Sequence, residues 1–270
     1  IKELLQKHKE EVYQLAEEHG YKKAQKAKWL RLGLIPGKIL ADLHVLGYVT
    51  TNLEGIQWKS GHNSTFLDTQ IKLDNTFLTF IGLWLADGCY DKNSVIMSVS
   101  TIEEQNVVYQ MGKRLGLPIK KHSDTISLMI NSKSFKYFLR EILDLRGNSY
   151  TKRIPGWVYQ LSKLQIAAVL KGIFSGDGHV SDKEIMLSLS SQKLLEDTQT
   201  LLLQFSIIFR IRKKREDGQI PGAISTVRDF REFEKQIGIL QEYKKKALIL
   251  LSSKESTHQI SDIIPFSLKF

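Results

Sequence analysis

Apolar and polar positions change period along this chain, and the changes divide it. In residues 1–50 Leu4, Leu5, Val12, Leu15 and Ala16 fall near one face of a first helix, with charged residues between them. A second helix is expected from Tyr21 to about Leu32, ending at Gly33, and Pro36 opens a third that ends near Gly47. From 51 to 74 the periodicity weakens and small polar residues gather, as in Gly61-His-Asn-Ser-Thr65, which predicts a linker. Beyond it, helical and strand periods alternate. Val95–Ser100 reads as a strand, Glu103–Leu115 as a helix capped by Thr101, and 117–121 and 125–130 as short strands before a helix over Ser134–Leu143. A second series follows: a strand over Glu184–Ser190, a helix over Gln192–Gln204, strands over Ile207–Lys214 and Ala223–Val227, and a helix over Arg228–Ile237. Helices covering one face of antiparallel strands make an α+β fold.

The two series repeat. Asp87 and Asp177 are 90 residues apart (87 to 177), and the same offset pairs Ser98 with Ser188, Ser100 with Ser190, and Leu115–Ile119 with Phe205–Phe209. Later matches drift, as insertions would cause: Phe135 with Phe230, Phe138 with Phe233, Tyr150-Thr-Lys152 with Tyr243-Lys-Lys245. Two similar halves related by an approximate two-fold are predicted.

Each half opens on an apolar run of helical length, Phe80-Ile-Gly-Leu-Trp-Leu-Ala-Asp87-Gly88 and Leu170-Lys-Gly-Ile-Phe-Ser-Gly-Asp177-Gly178. Small residues one turn apart, Gly82 with Ala86 and Gly172 with Gly176, let two helix backbones approach closely. Such a pair would deliver Asp87 and Asp177 side by side. A carboxylate in the last turn faces the negative end of the helix dipole, at a cost of ~0.3 to 1 kcal/mol each. Two such groups also repel each other. A divalent cation between them resolves both problems. Gly88 and Gly178 are expected to end the helices with positive φ. Two unrelated Asp-Gly turns are the alternative, and the duplication weighs against it.

Strand alternation sets Ser98, Ser100, Ser188 and Ser190 opposite the apolar Val95, Met97, Val99, Ile185, Leu187 and Leu189. In Ile207–Arg215 it sends Ile207, Phe209 and Ile211 inward and Ile208, Arg210, Arg212 and Lys214 outward. Serine and basic residues on an exposed sheet suit a DNA major groove, where arginine bonds guanine edges. A solvated face is the alternative, and five basic residues within 210–215 make the nucleic-acid reading the better supported.

Composition adds to this. Lys+Arg number 39 against 29 Asp+Glu in 270 residues, a net +10, which points to a polyanionic partner. Lys22, Lys23, Lys26, Lys28, Arg31 and Lys38 lie in the N-terminal helices, whose outline is that of a helix-turn-helix. DNA contact and a solvated helical appendage both fit them. The single cysteine, Cys89, excludes an internal disulfide and a cysteine zinc cluster, and is expected to pack as a small hydrophobe. No apolar run reaches the ~20 residues of a membrane span. With a charged start and no signal peptide, an intracellular, monomeric protein with no membrane partner is expected.

The twofold motif, apolar-x-Gly-apolar-apolar-x-small-Asp-Gly, resembles that of the LAGLIDADG homing endonucleases in their single-chain, two-repeat form. The resemblance covers roughly 75–251, with Leu85 and Ser175 standing at the motif's first acidic position. It implies two αββαββα halves with the motif helices at their interface and the antiparallel sheets forming a saddle over DNA. It further implies that Asp87 and Asp177, helped by the carbonyls of Ala86 and Gly176, bind Mg²⁺ or another divalent cation such as Mn²⁺. The family places a lysine after the last helix of each repeat, which implies Lys152 and Lys245 as catalytic groups. A basic inter-repeat linker explains Tyr150–Pro155 nearly as well, and Arg153 and Lys246 leave the register open. The expected organisation is a helical segment at 1–50, a linker at 51–74, repeats at 75–155 and 156–253, and a tail at 254–270. The expected activity is a site-specific double-strand break in DNA with short 3′ overhangs. The alternatives on this fold are a non-cleaving DNA-binding regulator and an RNA maturase. Inteins often carry this endonuclease type. Without an N-terminal nucleophile or a terminal His-Asn pair, the chain from Ile1 to Phe270 is not expected to splice itself.

Overall fold

The computed structural model describes residues 1–48, 56–60, 64–124 and 126–255. Residues 51–55 and 61–63 of the expected 51–74 linker, Thr125 and nearly all of the 254–270 tail lie outside the described residues. The chain forms two compact units, Ile1–Trp58 with Asp68–Ile71, and Lys59–Leu67 with Lys72–Phe270.

The first unit is helical: α1 (Lys2–Lys7), α2 (Lys9–Glu18), α3 (Lys23–Leu32) and α4 (Gly37–Val45). The single first helix expected from its apolar face is broken at His8, whose backbone (φ −114°, ψ 40°) leaves the helical region. Leu5, Val12, Leu15, Ala16, Ile39 and Leu43 form its buried core. Gly33, with φ 65°, ends α3 in the left-handed conformation that only glycine adopts without strain. Lys26 is the surprise. It is buried rather than basic surface, its ammonium bonded to the Tyr13 carbonyl at 3.3 Å and to the Glu17 carboxylate, and set over the Tyr13 ring. The short strands β1 (Gln57–Trp58) and β2 (Leu67–Asp68) follow.

The second unit contains both repeats. The first runs α5 (Asn75–Asp87), β3 (Gly88–Tyr90), β4 (Val95–Ser98), α6 (Ile102–Arg114), β5 (Ile119–Lys121), β6 (Ser127–Ile130) and α7 (Lys133–Tyr137). The helix expected over Ser134–Leu143 is regular only to Tyr137 and widens into a π turn over Phe138–Ile142. The second repeat runs α8 (Lys163–Gly176), β7 (Gly178–Val180), β8 (Ile185–Leu189), α9 (Gln192–Leu203), β9 (Arg210–Ile211), β10 (Ile220–Ile224) and α10 (Val227–Gln236), and α11 (Glu242–Ser252) follows. Each repeat builds one four-stranded antiparallel sheet, ordered β3-β4-β6-β5 and β7-β8-β10-β9. The fold is therefore α+β, in two halves of the same topology.

Local signals place most helix starts. Asp74 accepts from the Phe77 amide at 2.9 Å, Thr101 and Glu104 form a reciprocal capping box, and Ser191 and Thr226 cap α9 and α10. Two strands depart from the alternation pattern. Only Arg210–Ile211 of the expected 207–214 strand pairs regularly, and β10 begins at Ile220, upstream of Ala223. Pro221 lies in a ladder opposite Ser188, and its carbonyl accepts from the Arg212 amide at 2.8 Å. Gly222 is needed there for room: a Cβ would lie 2.2 Å from Phe209 Cζ.

The two motif helices, α5 and α8, cross at their glycines. A Cβ on Gly82 would stand 2.1 Å from the Val169 carbonyl oxygen and 2.8 Å from Gly172 Cα. One on Gly172 would stand 2.2 Å from the Thr79 oxygen and 2.7 Å from Gly82 Cα. The expectation for Gly88 and Gly178 is corrected. Gly88 is extended (φ −88°), neither has positive φ, and each starts a strand. Glycine is required because the strand doubles back on its own helix: a Cβ would meet Trp84 Cα at 2.7 Å and the Phe174 oxygen at 2.2 Å. Strand alternation after Gly88 turns Cys89 outward, so it is exposed rather than packed. No described helix is long and apolar enough to cross a membrane.

Candidate functional site: two carboxylates and two buried lysines

Because α5 and α8 run backbone against backbone, their C-terminal ends emerge together. Gly176 touches the other helix: a Cβ there would lie 2.5 Å from Ala86 Cβ and 3.6 Å from Asp87 Oδ2. Asp177 follows at once as the C-cap of α8. Asp87 is open to solvent and Asp177 is half-buried. Both carboxyls are nonetheless pushed above the usual range. The surrounding protein displaces water from both, and Asp177 feels the Asp87 charge next. Neither forms a hydrogen bond or an ion pair among the described residues.

Two lysines sit beneath them. Lys152 is only 3% exposed, and its ammonium donates to the carbonyls of Trp84 at 2.8 Å and Ala86 at 3.1 Å, 4.8 Å from the centre of the Trp84 ring. Burial pushes it down to about 8, against the pull of Asp177, then Asp87. It is a built part of the site, not a solvated linker residue. Its counterpart is Lys244, which is 8% exposed and donates to the Ser175 carbonyl at 2.7 Å. Burial lowers Lys244 too, opposed by Glu104, Asp177 and Asp87. Each ammonium thus covers carbonyls in the last turn of a motif helix, offsetting the negative dipole end that bears the aspartates.

Lys245, the residue expected from the repeat alignment, is exposed and pairs with Glu242. Three consecutive lysines, 244–246, hid the register in the repeat alignment. Helical phase resolves it: Lys244, Leu248 and Leu251 recur at i, i+4 and i+7, and all three are buried. Gln241 and Glu104 were missed altogether, since nothing local marks them.

The remaining expected residues divide. Ser98 and Ser100 are exposed and Ser188 and Ser190 half-exposed, while Val95, Met97, Val99, Ile185, Leu187 and Leu189 are buried, as alternation predicts. Ser98 Oγ lies 3.2 Å from Ser127 Oγ. Arg210 and Lys214 are exposed, and Arg212 is engaged by both oxygens of Glu184. Leu85 and Ser175, at the motif's substituted acidic position, are fully buried.

Among the described residues no group of three or more His, Cys, Asp or Glu could hold a metal ion. The donors that converge are two unpartnered carboxylates beside helix-end carbonyls. Hard oxygens in small number fit Mg²⁺, which keeps several waters and takes phosphate oxygens as further ligands. The Ala86 carbonyl, expected to help bind the cation, accepts from Lys152 at 3.1 Å.

The LAGLIDADG-like domain family matches residues 164–238. The DNA-directed RNA polymerase subunit Rpo1C of Methanocaldococcus jannaschii is 28% identical over 245 residues, 86% of this chain and 28% of the relative. The glutamine–fructose-6-phosphate aminotransferase of the same organism is 27% identical over 190 residues, 66% of this chain and 17% of the relative. The chain therefore spans well under a third of the length of these relatives. The fold is similar to that of I-DmoI in complex with DNA and Ca, with a TM-score of 0.50, 15% identity, and coverage of 67% of this chain and 98% of the other. It is likewise similar to full-length DUF199/WhiA from Thermatoga maritima, with a TM-score of 0.50, 14% identity, and coverage of 70% and 63%.

Proposed function

We infer from the LAGLIDADG fold of this chain that it is a site-specific, divalent-metal-dependent DNA endonuclease that cuts both strands of its target. The observation that supports this most is the convergence of Asp87 and Asp177, neither hydrogen-bonded nor ion-paired among the described residues, above two buried lysines. A protein that only binds DNA gains nothing from two carboxylates facing phosphates. A bound cation would supply charge neutralisation at the scissile phosphates and a more acidic water. The chain's own contribution is placement. Asp87 and Asp177 hold position on a rigid helix pair, and Lys152 and Lys244 bring positive charge toward the negative charge that develops on phosphorus oxygens. The two sheets present Ser98, Ser100, Ser188, Ser190, Arg210 and Lys214 as the DNA surface.

The test is selection of cleaved sites from a randomised duplex library in Mg²⁺, followed by sequencing of the ends. Recurrent cuts with short 3′ overhangs are expected. DNA retained in a gel but never nicked would instead identify a binding protein. Lys244→Met is expected to slow cleavage by ~10²-fold or more, the scale of losing one preorganised donor, whereas Lys245→Met stays within a few-fold.

The N-terminal unit adds a second DNA surface on this reading. With Lys26 withdrawn into the core, α3 exposes Lys23, Ala24, Ala27, Lys28 and Arg31 along one side, and α3 carries no acidic residue. Reversing both charges, Lys23→Glu with Arg31→Glu, is expected to weaken target binding and reduce its salt slope by about 2, near one per lost phosphate contact. An unchanged slope would leave α3 as a solvated helix. The aminotransferase and polymerase relatives share no named chemistry, and the match covers a small part of each. That pattern supports a mobile module carried within host proteins, as inteins are. Genomic context that reads through into an unrelated host protein is the expected finding.

A further inference from the structure

The two half-sites are not held in the same way. In the first, Lys152 rests on two carbonyls and the face of Trp84, and its backbone is fixed from the other repeat by Ser191 Oγ donating to the Lys152 carbonyl at 2.6 Å. In the second, Lys244 has one carbonyl, that of Ser175, and 90 residues on from Trp84 the ring is Phe174. The Ser175 carbonyl also accepts from Gln241 Nε2 at 2.8 Å, and the same amide nitrogen donates to Glu104 Oε1 at 2.7 Å. The other Glu104 oxygen accepts from the Thr101 amide at 3.1 Å and hydroxyl at 3.0 Å. Gln241 is 1% exposed and Glu104 4%.

The amide cannot turn over. Both its neighbours, a carboxylate and a carbonyl, are acceptors, so the NH₂ group must face them, and Gln241 Oε1 is left buried without a partner. An orphaned acceptor of this kind is tolerated only where the arrangement it permits is over-determined. Glu104 also places a buried negative charge where the Lys244 ammonium feels it more than it feels either aspartate. In the first half-site the residue 90 positions after Glu104 is Leu194, and among the described residues no carboxylate bonds a glutamine amide beside Lys152 in this way. The corresponding acid there, Asp197, binds the Ile154 amide and the Tyr159 hydroxyl instead of standing beside the lysine ammonium.

We propose that Glu104 and Gln241 are positioning residues that hold Lys244 over the end of α8, so that cleavage of one DNA strand depends on them and cleavage of the other does not. The inference rests on the endonuclease reading, and its consequence is a two-step reaction whose nicked intermediate is controlled from one side of the site.

The experiment uses the full chain and a duplex of the selected target with each strand separately labelled, and measures single-turnover cleavage of each strand, duplex affinity and thermal melting. Glu104→Gln keeps an oxygen to accept from Gln241 and removes the charge, together with the acceptor that faces the Thr101 amide and hydroxyl. It is expected to lower the rate on one strand by ~10- to 100-fold, the scale of losing a group that orients a site residue. The other strand should stay within about threefold, in the range of ordinary surface changes, with duplex affinity unchanged and nicked product accumulating. Gln241→Leu removes both donors and should slow the same strand. Should Gln241→Leu fail to fold, Glu104→Gln decides alone. A purely structural role predicts that Glu104→Gln melts lower and cuts both strands like the parent. That result, or equal slowing of both strands, overturns the proposal. A parent chain that binds but cuts neither strand overturns the endonuclease reading and this inference with it.

Discussion

Asp177→Asn and Asp87→Asn are each expected to abolish the proposed cleavage, by ~10³-fold or more, in a chain that stays folded and still binds its target duplex. The magnitude is that of removing electrostatic stabilisation from the point where charge develops. The same substitutions raise thermal stability when divalent cations are chelated. Asp177 is pushed up to about 7 by burial and by the Asp87 charge, so the folded chain holds its proton more tightly than the unfolded chain does. Stability tied to that proton is fully present below the ordinary carboxylate range near pH ~4 and is lost as pH rises through about 7. The parent in chelator should therefore melt progressively lower across that interval, Asp177→Asn should not, and added Mg²⁺ should restore the parent. Melting curves at several pH values, with and without Mg²⁺, check this. Parent and variant falling in parallel would show that the carboxylates do not share a site.

Gly172→Ala and Gly82→Ala are expected to be the most destabilising single-atom additions in the second unit. The methyl would meet backbone rather than the end of a side chain, at 2.2 Å from the Thr79 oxygen or 2.1 Å from the Val169 oxygen, so the helices must part along their length. Overpacking at a site that can relax costs about 1–3 kcal/mol, and here relaxation is blocked by two backbones, so ~3 kcal/mol or more is expected. At ~2–4 °C per kcal/mol for a unit of this size, the melting temperature should fall by roughly 6–12 °C. Gly176→Ala separates stability from chemistry. Its methyl meets only the Ala86 methyl, but beside Asp87, so cleavage should fall further than stability does. A Gly172→Ala chain that melts like the parent would mean that the helices do not cross there.

Much of this was legible in the residues. The 90-residue repeat of Asp-Gly after a small-xxx-small helix announced two halves, a helix interface at Gly82 and Gly172, and a meeting of Asp87 with Asp177. Thr101 marked the start of α6, and alternation around Ser98 and Ser188 told the inner from the outer face. The misses share a cause. Glycine after a helix-ending Asp suits a left-handed C-terminal position, the expectation for Gly88 and Gly178, whereas the strand folding back over Trp84 and Phe174 is what excludes a side chain. The strand expected from Ala223 begins at Ile220, with Pro221 and Gly222 laddered against β8 and Phe209 packed on Gly222. Lys26 and Arg212 carry the basic charge that suggested DNA, but Glu17 and Glu184 hold them.

Properties set by neighbours a few residues away, such as period, caps and the repeat itself, were determined by the sequence alone, because helix and strand geometry brings those positions together whatever the fold. The bond from Lys244 to the Ser175 carbonyl, the buried Glu104–Gln241 bond and the unequal support of the two half-sites were decided only by tertiary structure. Each depends on groups more than 65 residues apart in the chain, Glu104 with Gln241 and Ser175 with Lys244, whose meeting is fixed by the packing of α6, α8 and α11.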